Sequence, residues 1–129
     1  MLEELDIDAI KNPVLKNRAQ NCTESIYTKF FVAKLNQSEV GFLAVDFIPP
    51  PQVFVIYQLF VLKDYRGRGI GTELLQKAEG MALSAGNTKI RLKAKPLDTG
   101  TTSNNLRSWY KKRGYHAETG SEYFEKIIQ

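Results

Sequence analysis

Residues 63–72 read Lys63-Asp64-Tyr65-Arg66-Gly67-Arg68-Gly69-Ile70-Gly71-Thr72, and the segments on either side decide what they do. Before them runs Val53-Phe54-Val55-Ile56-Tyr57-Gln58-Leu59-Phe60-Val61-Leu62, almost continuously apolar, as in a central strand covered on both faces. After them the apolar period becomes helical: Ile70, Leu74, Leu75, Ala78, Met81 and Ala82 share one face, and Ser84-Ala85-Gly86 supplies a glycine stop. The block therefore reads strand, glycine turn, helix. Glycines let backbone N–H groups approach a ligand closely, and a helix N-terminus adds partial positive charge. Together they make a site for phosphate or pyrophosphate, with the full charges of Arg66 and Arg68 beside it.

Two familiar phosphate loops do not fit. Thr72 stands where the third glycine of a dinucleotide fold belongs, and no suitably placed acidic residue on a following strand completes that pattern. The Lys-Ser/Thr pair of a nucleotide-triphosphate loop is missing. A glycine pattern taken alone also fits a plain structural turn.

Upstream, Tyr27 to Leu35 is rich in aromatic and β-branched residues and predicts a strand. Asn36-Gln37-Ser38 is a turn, and Val40 to Ile48 is the returning strand of a hairpin, ended by Pro49-Pro50-Pro51. Residues 1–25 suggest one or two short helices broken at Pro13. Downstream, Thr88 to Ala94 alternates with Ile90 and Leu92 inward. Pro96 to Thr102 is a loop, and Ser103 is placed to N-cap a helix running to about Arg113 and stopped by Gly114. Tyr115 to Ala117 and Tyr123 to Ile128 suggest a last hairpin around Gly120-Ser121. This is the element order of a mixed α/β domain.

The chain has 129 residues, 43% of them apolar and 25% charged, the profile of one globular domain over 1–129 and not of a disordered or disulfide-framework chain. Cys22 is the only cysteine, which suits a reducing compartment. No apolar run approaches the roughly 18–20 residues that span a bilayer, and the acidic start lacks the features of a signal peptide. The expectation is a cytoplasmic protein with no membrane partner. The net charge of +4 is unevenly spread: residues 61–115 carry twelve Lys/Arg against four Asp/Glu, while the flanking segments are each at −2. An anionic partner is expected at that central segment.

Two motifs give this a sharper reading. Arg66-Gly67-Arg68-Gly69-Ile70-Gly71 fits Arg/Gln-x-x-Gly-x-Gly/Ala, and Trp109-Tyr110-Lys111-Lys112-Arg113-Gly114-Tyr115 fits aromatic-Tyr, three residues, Gly, aromatic. In this order, with a strand between them, they resemble the GNAT superfamily of acetyl-CoA-dependent N-acetyltransferases over about residues 26–117. The resemblance implies an α/β (α+β) fold, a mixed, mostly antiparallel central sheet flanked by helices, here with a shortened N-terminal region. It implies that the amides of Gly67, Arg68, Gly69, Ile70, Gly71 and Thr72 hold the coenzyme A pyrophosphate, with Arg66 alongside. Leu59, Phe60 and Val61 would offer main-chain hydrogen bonds to the pantetheine arm. Ser103 stands where the family often has an asparagine contacting the cofactor. Tyr110 would be the general acid that protonates the departing thiolate. No metal is expected.

The sequence departs from the family at the general base. Its usual glutamate positions hold Tyr57, Gln58 and Lys93. That leaves water, a carboxylate from elsewhere (Asp46, Asp98 or Glu118), or no catalysis at all. His116, the only histidine, falls past Tyr115 and away from the reacting amine. Lys93 in a carboxylate's place favours an anionic acceptor. With only about 25 residues before the first hairpin, the acceptor site is either open or completed by a second copy in a homodimer. The reading is acetyl transfer to a small-molecule or protein amine. Its rival is a non-catalytic acyl-CoA-binding regulatory module. The alternation Lys89, Arg91, Lys93, Lys95 raises nucleic acid, but no recognition motif accompanies it and no nucleic-acid partner is expected.

Overall fold

Left-handed backbone at Asn36 (φ 51°) and Gln37 (φ 69°) makes the two-residue turn that matches strand twist, and it joins strands Thr28–Leu35 and Ser38–Asp46. The computed structural model describes residues 2–22, 25–46, 53–98, 100–117 and 121–128. Six strands form one sheet in chain order: β1 (Leu2–Glu4), β2 (Thr28–Leu35), β3 (Ser38–Asp46), β4 (Phe54–Val61), β5 (Lys89–Lys93) and β6 (Tyr123–Ile127). All neighbours are antiparallel except β4 and β5, which are parallel and are linked by a crossover through helix α2 (Ile70–Ser84). Helices α1 (Pro13–Gln20) and α3 (Ser103–Lys111), with short 3₁₀ helices at Ile7–Ala9 and Lys63–Tyr65, complete the described elements.

The sheet is covered on both faces by separate apolar clusters. On one, Leu74, Leu75, Ala78 and Ala82 of α2 pack with Tyr110 of α3 against Leu43, Val45, Phe54, Ile56, Ile90 and Leu92. On the other, Leu15 and Ala19 of α1 pack with Ile10, Cys22 and Val32 against Phe42, Ala44 and Phe60. Cys22 is therefore a small buried core residue. The α2 face is the one its spacing predicts, and the helix ends at Gly86 (φ 85°) as expected.

Four local expectations change. The N-terminal segment contributes a strand, β1, paired with β2 through Leu2–Ala33 to Glu4–Phe31. Pro13 does not break a helix but starts one: its missing N–H costs nothing at the first helical position, and the Asn12 side chain accepts from Val14 and Leu15 N–H. Thr102, not Ser103, caps α3, its hydroxyl accepting from Asn105 N–H at 3.1 Å. The last hairpin shrinks to one bridge, His116 to Glu125, because β6 spends its pairing on β5. The triproline stop, Ile48 and Gly120 lie outside the described residues.

Candidate active site

The parallel strands β4 and β5 pair only from Phe54–Ile90 to Ile56–Leu92 and then part. The parting begins where β4 carries a bulge: Gln58 opposes Ala44 and Ile56 opposes Val45, so Tyr57 is the extra residue. A bulge bends its strand and increases the local twist, which carries the C-terminal half of β4 away from β5. It also changes the alternation. Phe54, Ile56, Leu59 and Val61 belong with the α2 face, whereas Tyr57 and Phe60 belong with the α1 face, to which Gln58 also turns, toward Arg18.

The gap is a cleft of about 350 Å³. One wall is Tyr57 to Val61, and the other is Lys93, Lys95, Pro96, Leu97 and Asp98. Asn105, Leu106, Trp109 and Tyr110 of α3 close a side, and Arg66, Gly67 and Gly71 line the end. Beyond Ile56 the edge of β4 facing the cleft has no strand partner, which leaves main-chain groups there for strand-like pairing, apart from Val61 O, which is held by Arg66. Of the residues singled out in the sequence, Leu59, Phe60, Val61, Arg66, Gly67, Gly71 and Tyr110 meet in this cleft. Arg68, Gly69, Ile70, Thr72 and Ser103 do not line it. Arg68 lies over the Tyr65 ring, Ile70 packs on the main core, and Ser103 is exposed on the first turn of α3.

The turn is built as the glycines suggested. Gly67 (φ 78°) and Gly69 (φ 82°) are left-handed, a conformation that strains residues with a Cβ. Gly69 is the N-cap of α2 and supplies no side chain to the first-turn amides, which leaves them for an anion. The requirement for glycine at 69 is conformational, since a Cβ there would meet nothing within 4 Å. Gly71 is different: a Cβ there would meet the Trp109 ring at 3.6 Å, an ordinary van der Waals contact, and its backbone is not left-handed, so neither space nor φ requires glycine there.

Arg66 is fully engaged. Its Nε donates to Val61 O at 2.8 Å, and its two Nη atoms grip the Asp98 carboxylate, which also accepts from Gly100 N–H at 2.9 Å. Those hydrogen bonds hold the Asp98 carboxyl below the ordinary carboxylate range. Arg66 thus ties the end of β4 to the loop of the facing wall.

Tyr110 is 5% exposed, edge-on to Trp109 with ring centroids 5.0 Å apart. Burial raises its hydroxyl well above the usual tyrosine range, opposed in part by Arg113. It therefore keeps its proton at neutral pH. Arg113 lies 3.8 Å above the Trp109 ring and donates to Thr72 Oγ1 at 3.0 Å, which pins α3 to the first turn of α2.

The carboxylates considered as bases fare unequally. Asp46 is 2% exposed and accepts from Ser25 Oγ (3.1 Å), Thr28 Oγ1 (2.7 Å) and Tyr57 Oη (2.8 Å). Asp98 lines the cleft but is held by Arg66. Glu118 lies outside the described residues. His116 is exposed and absent from the cleft. Sequence reasoning missed Trp109 and Arg18 as site residues, whereas Asn105, which with Asn104 is the alternative amide beside Ser103, lines the cleft. Trp109 had a signal, being the aromatic that opens the second motif. Arg18 had none, because only folding brings α1 beside β4.

The fold, the signature turn and the tyrosine helix together define an acetyltransferase class. A family model for the acetyltransferase (GNAT) domain matches residues 27–117, and the chain belongs to that family. It is 41% identical over 68 residues to an uncharacterized N-acetyltransferase of Methanocaldococcus jannaschii, covering 49% of this chain and 30% of that protein. It is 36% identical over 84 residues to another from Archaeoglobus fulgidus, covering 61% and 54%. The matches thus span about half or less of those relatives. A GNAT family acetyltransferase from Elizabethkingia anophelis, solved with acetyl-CoA bound, has the same fold: TM-score 0.72 at 18% identity, covering 99% of this chain and 97% of that one. No described helix is long and apolar enough to cross a membrane, and no described group of His, Cys, Asp and Glu side chains is arranged to hold a metal.

Proposed function

We propose that residues 1–129 act as one N-acetyltransferase domain that moves the acetyl group of acetyl-CoA directly to an amine. The observation that carries this is a conjunction: the uncapped first turn of α2, preceded by two left-handed glycines, sits at the end of the cleft into which Tyr110 is packed. The amides of Gly67 to Thr72 would take the pyrophosphate, with Arg66 and Arg68 adding charge. The free edge of β4 at Leu59, Phe60 and Val61 would pair with the pantetheine, and an N–H of that edge would polarise the thioester carbonyl. The amine nitrogen attacks the carbonyl carbon, the C–N bond forms, the C–S bond breaks, and the sulfur leaves with the Tyr110 proton. Tyr110 then regains a proton from solvent. The amine loses its own proton to water, since the only carboxylate lining the described cleft, Asp98, is committed to Arg66. The single cysteine, buried, supports a cytoplasmic site of action.

The same lack of an uncommitted carboxylate keeps the regulatory acyl-CoA-binding module as the second reading. Calorimetry with acetyl-CoA, followed by a thiol-release assay over small amines and peptides, decides between them. Binding with release is expected. Binding without release to any amine gives the module, and no binding overturns both.

A further inference from the structure

The basic alternation on β5 divides into two halves. Lys89 and Arg91 both pair with the single carboxylate of Glu125 on β6, at 3.7 and 2.7 Å. Lys93 and Lys95 have no ion pair among the described residues, and both line the cleft. Lys93 lies 5.1 Å from the centre of the Tyr123 ring, a neutral neighbour. Ile90 and Leu92 are buried on the α2 face, so Lys93 projects from the opposite face, which α1 covers at β2 to β4 and leaves open at β5 and β6.

Behind the facing wall, lining the adjoining pocket on the α1 side that shares Gln58 with the cleft, is another cation without an anion bonded to it. Arg18 of α1 stacks on Phe60 at 3.6 Å and donates to Gln58 Oε1 at 3.3 Å and to Leu97 O at 3.1 Å. Phe60, Gln58 and Leu97 all line the cleft. Both its acceptors are neutral, and its Nε is buried with no partner. Burial pulls its pKa below the ordinary arginine value, opposed in part by the attraction of the nearby Asp98 carboxylate. A half-buried guanidinium with donors to spare is stabilised by a carboxylate, which its fork matches. The one carboxylate lining the cleft, Asp98, is spoken for by Arg66. Coenzyme A phosphates do not account for this charge. Their cradle at Gly67–Gly69 follows Val61, whereas Gln58 lies about 10 Å back along the strand, at the bulge.

We propose that the acceptor is a small amine carrying its own carboxylate, which is received from the open face of the sheet between Lys93 and the Gln58–Arg18 end of the cleft. This rests on the acetyl-transfer reading above. The test uses α-, β- and γ-amino acids, each paired with its carboxamide and compared per fraction of unprotonated amine. Transfer is followed by thiol release, and binding to the protein saturated with coenzyme A is followed by calorimetry. The acid of at least one pair is expected to be favoured over its amide by about tenfold or more, as for charge-assisted hydrogen bonds. In Lys93→Gln, an exposed position, that gap should close to within about threefold, and Arg18→Lys should narrow it less than Arg18→Gln. Equal or better use of the amides overturns the inference, and so does a gap that persists in both Lys93→Gln and Arg18→Gln. Should no amine be acetylated, the transfer reading fails by itself. Calorimetry still decides the acceptor: tighter binding of the acids sustains it, and equal or absent binding removes it.

Discussion

The two ends of the cleft are made in different ways. The turn at 66–72 consists of consecutive residues whose main chain does the work: two left-handed glycines and an uncapped helix start. The acceptor end is assembled from side chains of α1, the bulge on β4, the end of β5 and the 96–98 loop. One of its hydrogen bonds, Arg18 to Leu97, joins residues 79 positions apart. A backbone site depends on a few conformations and tolerates little change in them. A side-chain site depends on the whole sheet being in register and can be retuned one residue at a time. Under the proposed function the first would bind what a family shares, and the second what one member selects.

The contrast breaks most completely at Gly69. Gly69→Glu forces a carboxylate and a Cβ onto a left-handed residue at a helix start, and acetyl-CoA affinity by calorimetry should fall at least about a hundredfold. Tyr110→Phe should lower kcat by about 10²–10⁴ with acetyl-CoA affinity unchanged, separating chemistry from binding. Because burial raises the Tyr110 hydroxyl above its ordinary value of 10.0, the acid form persists as pH rises. The kcat profile should therefore show no alkaline fall near pH 10.

On the acceptor side the first effect is on stability. Asp46→Ala removes a buried carboxylate and strands three hydroxyl donors, and urea unfolding should show a loss of about 2–4 kcal/mol. The smallest effect falls on the strap between the two ends. Asp98→Asn should cost no more than about 1 kcal/mol, as expected for a partly exposed pair. The Asp98 carboxyl is held below its ordinary 3.8, so the strap contributes above that pH and is lost only as pH falls through its lower folded value. Acid unfolding of Asp98→Asn should accordingly converge with that of the parent at the lowest pH.

Much of the fold was legible because its signals are local. The apolar run at 53–62, the helical period from Ile70 and the alternation of Ile90 and Leu92 each report burial directly in residue spacing. What misled was also local. A strand of three residues, Leu2–Glu4, is too short to show a period, and Pro13 reads as a breaker unless Asn12 is seen as the cap before it. At the cap of α3, Thr102 and Ser103 are chemically equivalent candidates, and only backbone geometry separates them. In the site, the turn and Tyr110 could be located from motif and spacing. Arg18 and the Arg66–Asp98 strap could not, because those contacts join elements far apart in the chain.

The sequence alone determined the strand–turn–helix block, the direction of its positive end and the identity of the tyrosine helix, because backbone conformation and hydrophobic period are written in neighbouring residues. Tertiary structure decided which cations are spent and which are left. Glu125 is shared by Lys89 and Arg91, Asp98 engages Arg66, and the bulge at Tyr57 turns Gln58 toward Arg18. Charge can be counted along a chain, but its compensation depends on distance in space, and only the folded sheet sets those distances.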